Sequence, residues 1–126
     1  MPEKQISLVG VPFDAKSSFL TGPAEGPSAI RKELFSGASN LFTETGIDLD
    51  SVNGFKEVVD LKIENSEAGY LQIEREAARQ LNDGAIPLFL GGDHSITYPL
   101  VKAVVESIRP TIIIHFDAHP DLYHEF

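Results

Sequence analysis

The chain has 126 residues, with 10 Lys and Arg against 19 Asp and Glu, a formal net charge of −9, and 42% hydrophobic residues. That suits one globular domain and argues against nucleic acid or an anionic membrane as partner; such acidity is most often a solvated surface, but it also suits metal ions and cationic substrates. No cysteine is present, which excludes disulfides, thiolate zinc sites and a Cys nucleophile, and with neither a membrane-length apolar run nor a signal-peptide pattern the expected compartment is the cytoplasm.

In chain order, Ile6 to Val11 is short, apolar and β-rich, and reads as a first strand closed by Pro12-Phe13-Asp14. Lys16 to Gly26 is a small-residue loop. It lacks the spacing of a phosphate-binding P-loop and is read as a loop bordering a site. Pro27 suits the first residue of a helix and Gly37 the position after its end. Asn40 to Asn53 has no clear period, with at most a short strand near Ile47, and Glu57 to Leu61 is a second strand candidate. Ser66 to Asp83 is the clearest helix, since Tyr70, Ile73, Ala77 and Leu81 fall on one face and Gly84 supplies the stop. Ile86 to Leu90 is a third strand, running into Gly91-Gly92-Asp93-His94-Ser95. A helix follows, with Leu100, Val101, Val104, Val105 and Ile108 as its buried side and Pro110 as its end. Thr111-Ile112-Ile113-Ile114 then predicts a fourth strand carrying His115-Phe116-Asp117-Ala118-His119-Pro120-Asp121 at its tip.

Alternation of strands and helices predicts an α/β fold, a three-layer α/β/α arrangement around an open, mainly parallel sheet. In such sheets ligands collect beyond the carboxyl ends of the strands, where His94, Asp117, His119 and Asp121 all fall. On extended backbone, side chains two apart share a face, so Asp117, His119 and Asp121 are expected to converge. Two carboxylates and an imidazole in one place resist ionising together without a cation. Their donor types suit a divalent transition metal, and a metal site is favoured over a plain turn. His94 joins them if the third and fourth strands are neighbours. Asp93 faces away from His94 and is expected to support a ligand or cap the next helix rather than ligate. His115 lies one step deeper and is expected to give hydrogen-bonding support. His124 breaks the parity and reads as loop.

Two motifs, Gly91-Gly92-Asp93-His94-Ser95 and Asp117-Ala118-His119-Pro120-Asp121, with the 23-residue step from His94 to Asp117, resemble the ureohydrolase family of arginase, agmatinase and formimidoylglutamase. Gly10-Val11-Pro12-Phe13-Asp14 and Gly26-Pro27-Ser28-Ala29-Ile30-Arg31 resemble that family's opening strand, loop and helix. The resemblance implies an arginase-like fold and two Mn²⁺ ions per complete site. It also implies hydrolysis of guanidinium or formimidoyl C–N bonds by a metal-bridging hydroxide. It places His94 on one ion and His119 on the other, with Asp117 bridging; Asp121 would bind the first ion and accept a hydrogen bond from the hydroxide, making it the catalytic residue. It implies a small cationic substrate and a homo-oligomer at full length. The text from Asp121 to Phe126 leans toward an agmatinase-like member.

The family's further aspartate pair, in an S-x-D-x-D stretch, does not occur before Phe126. Residues 1–126 are therefore expected to be the N-terminal part of a single ureohydrolase-like domain, inactive alone. A non-catalytic binding or assembly fragment of the same fold is the other expectation. A binuclear metallophosphoesterase, which also uses D-x-H on a strand tip, is disfavoured because its motif stands near the chain start.

Overall fold

Side chains at the end of the first strand alternate between two helical layers, and that alternation organises the molecule. The computed structural model describes residues 5–52, 54–119 and 121. Strand β1 (Ile6–Gly10) lies between β2 (Phe55–Val58) and β3 (Ile86–Leu90), all parallel, in the order β2-β1-β3. Helix α1 (Gly26–Leu34) connects β1 to β2, and α2 (Glu67–Asn82) connects β2 to β3. These two crossovers run in opposite directions across the sheet, so the right-handed rule puts their helices on opposite faces. The packing agrees. A Cβ on Gly10 would lie 2.9 Å from Pro27 of α1, whereas Val11, one residue on, packs with Ile73 of α2.

The main core lies on the α2 side. Val11, Phe13, Ile73 and Ile96 are buried together, with Tyr70, Phe89 and Leu100 against them. Phe13 and Tyr70 meet with ring centroids 5.2 Å apart, a separation favourable for aromatic pairs. Helix α3 (Thr97–Ser107) packs on α2. Its buried residues are Pro99 and Ala103, and Ile108 is exposed, contrary to the predicted stripe. Leu100 packs against the core cluster that includes Ile73 of α2.

On the opposite face Arg31 of α1 serves as the anchor. Its guanidinium donates to Asp60 Oδ1, Glu57 Oε1 and the carbonyls of Leu8 and Val58, at 2.6–3.1 Å. Only a rigid five-donor fork can reach a carboxylate on each side and two strand carbonyls at once. Arg31→Lys is therefore expected to cost about 2 kcal/mol, read as a lower urea midpoint with an unchanged slope.

Boundaries depart from expectation by a few residues. β1 stops at Gly10, although Val11 N still donates to Leu90 O at 2.8 Å. β2 is 55–58 rather than 57–61, and α1 begins one residue before Pro27. The expected short strand near Ile47 is a single antiparallel bridge, Phe42 to Asp48. Ser66 and Asp83 flank α2 as its caps, and Gly84 has the left-handed φ of +78° that ends the helix.

The predicted fourth strand is the substantive correction. Residues 111–117 form no strand, and Ile112, Ile114 and Phe116 are 76–94% exposed. β-branched residues favour a strand through packing against cross-strand neighbours rather than through backbone preference alone. Among the described residues no strand pairs with this run. No described helix is long and apolar enough to cross a membrane.

Candidate metal centre

The site is built where the chain leaves β1 and β3. Gly92 lies so close to the backbone of Phe13 that an added Cβ would sit 1.8 Å from Phe13 O. Asp93 N donates to that same carbonyl at 2.8 Å, which locks the two strand exits together. Asp93 then caps the short 3₁₀ turn His94–Ile96, accepting from Ser95 N at 3.0 Å and from Ser95 Oγ. The turn presents the His94 imidazole outward, with its side chain 54% exposed.

Residues 115–121 pass beside this turn. One donor atom from each of His94, His115, Asp117 and Asp121 lies within 4.8 Å of all the others. His94 Nε2 is 2.9 Å from Asp121 Oδ2, and the His94 and His115 rings stack at 5.9 Å. The two oxygens of Asp117 face different imidazoles. Oδ2 is 3.7 Å from His115 Nε2, and Oδ1 is 3.6 Å from His119 Nδ1. A hydrogen bond from the His119 amide holds the Asp117 carboxyl below its ordinary pKa, helped by the nearby His115, His119 and His94 rings and opposed by partial desolvation. Asp121 takes up its place with φ +47°, a region that costs most residues energy but that Asp tolerates.

Of the expected ligands, His94, Asp117 and Asp121 come together. His119 touches Asp117 but stands outside the group, and His115, expected only as support, stands inside it. The shared parity of 117, 119 and 121 fails because the segment is not an extended strand and bends at Ala118 and His119. Asp93 is not among the grouped donors and caps the turn that carries His94, and His124 lies outside the described residues.

Sequence reasoning missed Asp14. It is buried, with Oδ2 accepting from Gly22 N at 2.6 Å and Ala24 N at 3.4 Å, and Oδ1 from Asn65 Nδ2 at 2.6 Å. The available signal is an Asp straight after a strand-closing Pro-Phe, followed by glycines whose amides need acceptors. The Gly22 amide, then the Asn65 side chain, hold Asp14 below the ordinary carboxylate pKa. A depressed folded value means the stabilisation is complete above the unfolded pKa and is lost as pH falls through the folded one. Wild type is thus expected to exceed Asp14→Asn in stability by a constant margin above the ordinary carboxylate range, a margin that shrinks as pH falls through the depressed folded value. Urea unfolding of both proteins across that range measures it.

The four grouped donors form an open, exposed shelf. A cleft of about 570 Å³ lies elsewhere, lined by Gln5, Ser7, Lys56, Gln80 and Ala85 near the start of the strands. Its lining holds none of the four grouped residues, and chemistry is assigned to the shelf because that is where the donors converge.

The model of the arginase family matches residues 4–126. The chain belongs to the arginase family. It is 39% identical to an arginase of Glycine max over 129 residues, covering 95% of this chain and 37% of that protein. It is 36% identical to the N(1)-aminopropylagmatine ureohydrolase of Thermus thermophilus, covering 98% and 42%. The structure of an arginase from Medicago truncatula superposes with a TM-score of 0.84 at 37% identity, over 98% of this chain and 42% of that one. This arginase-family chain thus spans about two fifths of the length of the relatives it matches, their N-terminal part.

Proposed function

We propose that this chain is the N-terminal part of a binuclear manganese ureohydrolase that cleaves a C–N bond of a small cationic guanidino or formimidoyl compound. The observation that carries the reading is the convergence of His94, His115, Asp117 and Asp121 at the strand exits of an arginase-family chain. Imidazole nitrogens and carboxylate oxygens are a donor set that Mn²⁺ accepts. Without a cation, two carboxylates here would repel. The residues therefore fit the metal.

In this reading His94 and Asp121 hold the first ion, with His115 beside them. Asp117 offers one oxygen to that side and the other toward His119, which supports the bridging role. His119 serves the second ion. When bound, the ions supply a water acidified toward neutral pH and a Lewis-acid template. Asp121 places a carboxylate acceptor at the same spot, able to orient a proton of the attacking water. The net charge of −9 favours a cationic substrate. Arginase and N(1)-aminopropylagmatine ureohydrolase, the names borne by the relatives, point to a guanidino group as the shared substrate element. The remaining metal donors are assigned to the portion of the longer relatives that these residues do not span.

The test is urea and formamide release by the full-length, Mn²⁺-loaded protein supplied with guanidino and formimidoyl compounds. Urea release, lost in His119→Ala, is expected; release of neither product from any of them would overturn the reading. The 126-residue chain assayed alone is expected to be inactive.

A further inference from the structure

Asp93 makes one contact that helix capping does not require. Its Oδ1 serves the cap, while Oδ2 accepts from the Lys16 amide at 2.9 Å, 77 residues away in sequence. Asp93 is 9% exposed, so this is a largely buried, charge-assisted bond. Lys16 opens the loop after β1, and Asp14 holds the loop's far end at Gly22 and Ala24. The Lys16 ammonium is itself tied to Glu67 Oε1 on α2 at 2.8 Å. The loop is therefore seated by carboxylates at both ends, and one of them belongs to the residue adjacent to His94.

We infer that Asp93 is a positioning residue that transmits the seating of loop 16–21 to the His94 imidazole. The one carboxylate fixes the turn carrying His94 and the start of the loop together, so neither shifts alone. The loop, which exposes Phe19 and Leu20, becomes a rim whose position sets where His94 points. The consequence for metal binding rests on the proposed role of His94; the mechanical coupling does not.

Asp93→Asn and Asp93→Ser test this in the metal-free 126-residue chain. Both Asn and Ser are good helix N-caps, so both keep the Ser95 contact. Asn turns a donor toward the Lys16 N–H, and Ser is too short to reach it. Exchange of the Lys16 amide is expected to rise about tenfold, the loss of one charge-assisted hydrogen bond. The His94 side-chain ¹⁵N resonances are expected to move equally in both variants, while exchange within α2 stays at the wild-type rate. Wild-type behaviour in both variants would reduce Asp93 to a cap and overturn the inference. A freed Lys16 amide with unmoved His94 resonances would overturn it as well. Failure of the wild-type protein to bind Mn²⁺ would count against the proposed function instead, and the NMR result would still decide the coupling.

Discussion

Gly92→Ala is expected to destabilise the chain by about 3–5 kcal/mol, a large fraction of the 5–15 kcal/mol typical of a domain. The added methyl would lie 1.8 Å from Phe13 O, 2.7 Å from Phe13 C and 2.9 Å from Phe13 N. All three are backbone atoms, so no rotamer change relieves the overlap. Moving Phe13 away would break its carbonyl's bond to Asp93 N and disturb a fully buried ring packed on Tyr70. Gly37→Ala is the control. An added Cβ there meets nothing within 4 Å, and its φ is not positive. It is expected to be neutral, or stabilising by about 0.4–1 kcal/mol through a less flexible unfolded chain. Urea midpoints of the two variants make the comparison; equal values would contradict the packing account.

Asp117→Asn is expected to weaken Mn²⁺ binding by about 100-fold or more, at the upper end of what even supporting residues around a metal contribute. Asp117 is the residue whose oxygens look both ways, toward His115 and toward His119. Asn keeps the shape and can still accept the His119 amide hydrogen bond now made to Oδ1, but it removes the charge that a divalent ion needs. The unfolding free energy from urea titration is expected to stay within about 0.5 kcal/mol of wild type, as for an exposed substitution. Binding and stability therefore separate in this variant, whereas Gly92→Ala moves stability directly.

Sequence periodicity makes the helices legible because their apolar faces are local properties. Tyr70, Ile73, Ala77 and Leu81 announce α2 at a spacing of three to four, and Asp83-Gly84 announces its end. The parallel sheet follows from strand and helix alternation. The run 111–114 misleads for an instructive reason. Its composition states what a strand would look like but not whether a neighbour exists to complete the ladder, and pairing is a tertiary fact. The same gap explains the exchange of His115 for His119 in the grouped donors. Parity holds only on extended backbone, and the bend at Ala118 and His119 breaks it. Asp14 and the Asp93–Lys16 tether are illegible in sequence because each joins residues whose proximity depends on how two strand exits meet. The pair His94 and Asp117 is readable from motif spacing, and the fold brings both to one shelf.

The most direct test of the metal centre is a titration of Mn²⁺ into the 126-residue chain and its Asp117→Asn variant, followed by the electron paramagnetic resonance signal of the free ion. Weak but saturable binding to wild type is predicted, with a signal in the variant that tracks free manganese throughout. Equal binding to both proteins, or no saturable binding to wild type, would contradict a metal centre at His94, His115, Asp117 and Asp121.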